Sequence, residues 1–284
     1  MSSIYPYSIY YQNSAGEELH FDDAPYSISS TDIFDSLCSL KAVSRPLSEG
    51  CRIISKYREC ISRTIKLNVF GQTQQQHNDA LNRLAEVIGR DVEALTAGKL
   101  WVNGQYLLCY INESEKQLSL NWSTCTTVTL TVTPEYPYWC TERKFSYYVG
   151  DSATDENGLK YPYSYPHRYT SSDQSLSLSN SHYAPCPMII TIYGPAVNPH
   201  IYIGDILCGL EVDIAEGEYA VINQMTREIY LRDSSGNTVN IFNKRNKSGN
   251  VFEFAPSGNS KLSFSGSFGL DIIIAEQRSE PLWS

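Results

Sequence analysis

The clearest periodicity lies late in the first half of the chain, where Val128, Leu130 and Val132 alternate with threonines. Successive strand side chains point to opposite faces, so this pattern predicts a half-buried antiparallel strand. Shorter runs of the same style cover residues 7–11 and 18–21, either side of a hairpin turn from Asn13 to Gly16. Weaker ones follow at 26–33 and 37–43, then two longer runs at 51–60 and 61–70. Strands resume at 99–102, 105–111, 117–122 and 124–133.

One stretch breaks the rhythm. Thr73 is placed to cap a helix, with Gln76 three residues on in capping-box position. Ala80, Leu81, Leu84, Ala85 and Ile88 then recur at helical spacing, which predicts a helix over 73–88 that Gly89 stops. Residues 91–95 predict a second short helical turn, ended before Gly98. The first half, residues 1–143, thus reads as a split-barrel-like β-domain with one α-helix packed on it. Its last predicted strand runs into Tyr138 and Trp139, an aromatic pair suited to closing the sheet rather than lining a groove.

Residues 144–184 carry no comparable pattern. They are rich in Tyr, Ser and Pro, and predict a connecting arm with little regular structure apart from a strand near 176–178. Beyond them, apolar runs at 188–193 and 201–203 flank a Gly194-Pro195 break and an Asn198-Pro199 turn. Short runs follow at 210–214, 219–222, 228–232, 238–242, 251–254, 262–264 and 270–275, separated by turn residues. That cadence, without a helix, predicts a β-sandwich of jelly-roll or lectin-like type over 185–284.

Composition narrows the function without naming it. Hydrophobic residues make up 42% and charged ones 19%, which suits a folded protein and not a disordered one. The formal charge of −9 argues against a general nucleic-acid binder, whose affinity comes from phosphate neutralisation. Arg52, Lys56, Arg58, Arg63 and Lys66 form the most basic stretch. It reads either as a contact for phosphate or an acidic partner or as a solvated strand face, and the latter needs no function. The eight cysteines show no Cys-x-x-Cys pair, and the first residues lack the basic start and apolar run of a signal peptide. Free thiols in a protein made in a reducing cytoplasm are the expectation.

No catalytic, cofactor-binding or metal-binding residue stands out. Gly-x-Ser-x-Gly, His-Glu-x-x-His and phosphate-loop patterns are absent. His20, His77, His167, His182 and His200 are isolated, and the carboxylate pairs Asp22-Asp23 and Asp155-Glu156 are adjacent in sequence, as solvated turn charges usually are. The expectation is a protein without enzymatic activity or cofactor.

An ordered set of features carries a resemblance. It comprises the opening of the second half (Ile190, Ile192, Tyr193, Gly194, Pro195, Asn198, Pro199, Ile201), the hairpin around Gly217, Asn240 with Phe242, and the turn from Pro256 to Asn259 before Leu262 and Phe264. The first half adds the strand from Arg63 to Leu67, the helix after it, and the strand ending in Pro137, Tyr138 and Trp139. Together these resemble the siphophage distal tail protein family, whose C-terminal domain is galectin-like. The resemblance implies a virion protein at the tail tip, a hexameric hub ring joining the tail tube to the baseplate. DNA and the tape measure would pass its lumen without specific binding, with tail-tube, tail-tip and receptor-binding proteins as partners and no membrane contact. The alternative is a carbohydrate-binding adhesion module. Against it, the galectin sugar motif is broken around Asn198 and Pro199, and Trp283 is the lone tryptophan of the second half.

Overall fold

The computed structural model describes residues 7–44, 49–117, 124–149 and 176–283. Most of the connecting arm, His167, the Asp155-Glu156 pair and the strand expected beyond Gln117 lie outside these residues. The fold is mainly β, with one α-helix among the described residues. The chain divides into two units, Met1–Thr141 with Gln277–Ser284, and Glu142–Glu276.

The first unit is a curved antiparallel sheet with a helix against it. Its strands are β1 (Ile9–Gln12), β2 (Glu18–His20), β3 (Tyr26–Thr31), β4 (Ser39–Ser44), β5 (Cys51–Tyr57), β6 (Arg63–Phe70), β7 (Gly98–Val102), β8 (Gln105–Gln117) and β9 (Cys125–Tyr147), with α1 (Gln74–Ala94) between β6 and β7. The order across the sheet is β3-β6-β9-β8-β7-β1-β2. Val128, Leu130 and Val132 of β9 face inward beside Ile65, Leu67 and Val69 of β6, and all six are buried. The intervening threonines lie on the other face. Extra residues in β3, in β8 after Ile111 and in β9 between Pro134 and Trp139 shift the register, which bends a sheet. Ala80, Leu84, Val87 and Ile88 of α1 join the same core, and Trp139 is only 3% exposed within it.

Thr73 caps α1, its Oγ1 accepting from the Gln76 amide at 3.2 Å. The helix does not stop at Gly89. It continues to Ala94, because Val87, Ile88 and Asp91 are buried on one stripe and outweigh the roughly 1 kcal/mol that a mid-helix glycine costs. The two expected helical pieces are therefore one helix. It ends instead at Leu95, which takes the left-handed conformation at φ 49° and donates to the carbonyls of Asp91 and Val92. Ala85, expected on the buried stripe, is exposed, and His77 takes a place there.

The second unit is two facing sheets. It adds β10 (Ser177–Asn180), β11 (Met188–Tyr193), β12 (Ala196–Val197), β13 (His200–Ile203), β14 (Ile206–Gly209), β15 (Asp213–Ile214), β16 (Tyr219–Asn223), β17 (Glu228–Arg232), β18 (Thr238–Asn240), β19 (Gly258–Phe264) and β20 (Gly269–Arg278). One layer runs β18-β17-β16-β11-β20 and the other β10-β19-β13-β14. Ile190, Ile192, Ile222 and Ile272 from the first layer bury against Ile201, Ile203, Leu262 and Phe264 from the second.

The runs at 188–193 and 201–203 are strands, as expected; β11 pairs β16 and β20 while β13 pairs β14 and β19. The break between them therefore carries the chain from one layer to the other. Three local expectations in this half change. Residues 251–254 form no strand. Val251 is buried there, but its neighbourhood is held by Gln224, whose Nε2 donates to the Val251 and Glu253 carbonyls at 2.8 and 2.9 Å. The run at 238–242 ends early in a 3-10 turn, Phe242–Lys244. The run at 210–214 keeps only β15 as strand, and β14 precedes it.

The chain's last residues return to the first unit. The Leu282 amide donates to Gln105 Oε1 at 2.8 Å, and the Trp283 ring lies 5.8 Å from Tyr7 and 5.2 Å from Phe34. Aromatic contact of this kind is what draws the tail out of the sandwich.

Candidate assembly surface

Among the described residues, no group of three or more His, Cys, Asp or Glu side chains is placed to hold a metal ion. The described histidines differ in their surroundings. His200 Nδ1–H donates to the Asn198 carbonyl at 2.6 Å, which leaves Nε2 to accept from Asn246 Nδ2 at 3.1 Å. His20 sits between Glu18 and Asp22 on β2 and its end, 3.3 and 3.9 Å away, with its ring stacked on Tyr10. His77 is fully buried on the inner face of α1. All eight cysteines are free, as expected, and Cys109, Cys140, Cys186 and Cys208 are buried. Burial pushes the Cys208 thiol up to about 12. No helix among the described residues is long and apolar enough to cross a membrane.

Polar groups inside the first unit serve as pins. Asp91 is fully buried near the end of α1, where its Oδ2 accepts from the Tyr11 hydroxyl at 2.5 Å and its Oδ1 from the Ser14 amide at 2.8 Å. Burial raises the Tyr11 hydroxyl well above its ordinary range, and the bond to Asp91 adds to the shift. A side chain at Gly98 would collide with both groups, so glycine is required where β7 passes them.

The unusual feature is the ribbon of β4 and β5. Its register runs from Ser39 opposite Tyr57 to Ser44 opposite Cys51. Every residue of β5 and all of β4 after Ser39 are exposed, Ile53 and Ile54 at 50% and 51%, with Ile54 the extra residue where the register shifts. Both faces of the ribbon are therefore open. Leu37, Leu40, Val43 and Tyr57 are exposed with them. Neither ribbon edge pairs with another strand among the described residues. A two-stranded ribbon is marginal alone in water, and open edges with apolar side chains invite pairing with another chain.

The base of this arm is held firmly. Asp32 accepts from the Thr64 amide at 2.5 Å, Arg63 donates to the Asp35 carbonyl at 3.1 Å, and Arg58 to the Leu37 carbonyl at 3.3 Å. The basic stretch noted in sequence thereby splits. Arg52 and Lys56 lie on the arm, Arg58 and Arg63 tie its base, and Lys66 is on the open face of β6.

A second surface of the same unit is concave. A cleft of about 800 Å3 opens between β2, the β2–β3 turn, the end of β6 and the first half of α1. Leu19, Pro25, Tyr26, Phe70 and Ala80 supply its apolar lining, and Glu18, Asp23 and Asp79 outnumber Arg83 among its charged groups.

No family model matches the chain, and no curated protein matches it in sequence. Solved structures do. The crystal structure of SPP1 Dit (gp 19.1), described as a paradigm of the hub adsorption apparatus in phages infecting Gram-positive bacteria, aligns with a TM-score of 0.60 at 11% identity, covering 96% of this chain and 100% of that one. The chain has the fold of a phage distal tail protein. A chain of the phage P2 baseplate in its activated conformation with Ca aligns at 0.66 and 11% identity, over 97% of this chain and 99% of that one. The Sr form of that baseplate gives 0.65 at 10%.

Proposed function

We propose that this protein is the hub of a phage or prophage tail, a ring of copies joining the tail tube to the baseplate or tail tip. The single observation behind the reading is the likeness to the SPP1 and P2 chains over nearly the full length of both partners, through both units in the same order. A ring of six, with a lumen for DNA and tape measure, fits the net charge of −9, since an acidic wall does not retain nucleic acid. The first unit forms the ring, and its uncovered arm makes the contact between copies. Tail-tube, tail-tip and receptor-binding proteins are its neighbours in the virion, and no membrane or cofactor is involved.

Negative-stain microscopy of the purified full chain tests this. Rings with a central hole are the expected image, and uniformly single particles at high concentration would overturn it. The adhesion reading has less support. His200 is engaged by Asn198 and Asn246, and Trp283 packs within the first unit, so the second unit has no tryptophan platform for a sugar. Calorimetric titration with Gram-positive cell-wall polysaccharide should give no binding heat; micromolar affinity would promote adhesion over the hub.

A further inference from the structure

The arm and the cleft are matched in chemistry and placed at opposite ends of one ladder. In the β3–β6 pairing, Tyr26 stands opposite Val69 at the cleft end and Thr31 opposite Ile65 at the arm end. Five residues of strand separate them, about 17 Å at 3.3–3.4 Å per residue. The tied base, through Asp32, Asp35 and Leu37, makes the arm leave from the far end of the ladder. It cannot fold back to fill the cleft of its own chain without giving up those bonds.

On the arm, two of the exposed apolar groups stand opposite a cation. Leu40 is opposite Lys56, and Val43 is opposite Arg52. In the cleft, an apolar floor of Leu19, Tyr26 and Phe70 is bordered by Glu18, Asp23 and Asp79, and Phe70 is 46% exposed. We propose that the arm of one copy seats in the cleft of a second copy. Leu40 with Lys56 lies on one face of the ribbon and Val43 with Arg52 on the other. One apolar group and its cation therefore meet the β2 wall with Glu18, and the other pair meets the α1 wall with Asp79. The contact joins two different patches, so it is heterologous, and a heterologous contact propagates from copy to copy until rotation closes a ring. Charge pairing fixes the register of the ribbon, while burial of the apolar groups supplies most of the affinity. The inference rests on the hub reading only in taking the partner to be another copy of this chain.

Two measurements on the full chain test it. Sedimentation velocity compares the wild type with Arg52→Glu/Lys56→Glu and with Glu18→Lys/Asp79→Lys. All four residues are exposed, so thermal unfolding should stay close to wild type. Each double variant should weaken assembly about tenfold or more, and the quadruple variant should recover it to within about threefold. A photoreactive phenylalanine at Ile54, in a mixture of light and isotope-labelled chains, should cross-link to peptides holding residues 18–26 or 70–83 of the other copy. If the arm variant fails to assemble while the cleft variant assembles normally, or cross-links between copies fall outside the cleft, the seating is wrong and the hub reading stands. A wild type that stays monomeric without cross-links between copies overturns both.

Discussion

The two units bury comparable numbers of apolar side chains by different means. In the second, two sheets face each other and each covers the other, so its exposed hydrophobic residues, such as Tyr183, Val197 and Val239, are scattered. In the first, a single helix covers one face of a curved sheet, and a whole ribbon is left with both faces open. Scattered apolar residues on a surface need no explanation, whereas a contiguous set marks a place where another surface fits. Among the described residues, the apolar faces of the second unit cover each other, whereas the first unit leaves a ribbon uncovered. Assembly is therefore expected to be a property of the first.

The contrast can be broken at its core. Trp139→Ala should cost about 3–5 kcal/mol, since Trp139 is the large side chain that closes the first core. Differential scanning calorimetry should show that loss in the first unit's transition; an unchanged transition would mean the helix and sheet do not need their aromatic plug. Next are the polar pins. Tyr11→Phe leaves one oxygen of buried Asp91 without its donor and should cost about 1.5–3 kcal/mol. Gln224→Ala, in the second unit, strips partners from the Met188 amide and two carbonyls and should cost about as much. If denaturant melts show Gln224→Ala to be harmless, the second unit is less tightly specified than its satisfied geometry suggests.

Smaller effects sharpen the comparison. Gly89→Ala should stabilise the first unit by about 0.5–1 kcal/mol, because the position is helical and a methyl group there meets nothing. In the second unit, burial works against ionisation of Asp271. Hydrogen bonds from Lys144, Ser146 and Tyr193 outweigh it and hold the carboxyl below its usual 3.8. Because the folded pKa is depressed, this stabilisation is full above the unfolded value and is lost as the pH falls through the folded one. Asp271→Asn should thus cost about 0.5–1 kcal/mol at neutral pH and nothing in strong acid. Melts at both pH values check this, and an equal loss at both would assign the effect to packing.

Much of the local architecture was legible in the chain. Thr73 with Gln76 marks a helix start because a cap acts over one turn, and Val128, Leu130 and Val132 mark a face because alternation is a property of a single strand. The candidate surface was half visible. The basic residues from Arg52 to Lys66 stood out, but a ribbon open on both faces has the same alternation and branched residues as a covered strand. Charge at Arg52 and Lys56 could not be separated from the anchoring of Arg58 and Arg63 until their partners were in place.

Sequence by itself thus determined what depends on neighbours a few residues away: a mainly β chain, one capped helix, a turn from Asn13 to Gly16, and threonines facing away from a core. Tertiary structure alone decided the rest. It carried α1 through Gly89, because burial of Val87 and Asp91 outweighs a local penalty. It sent β11 and β13 into different layers and returned Trp283 to Tyr7 and Phe34. It also left the β4–β5 ribbon bare. Periodicity says which side of a strand is apolar, but the partner that covers that side lies far along the chain or on another one, and only packing chooses it.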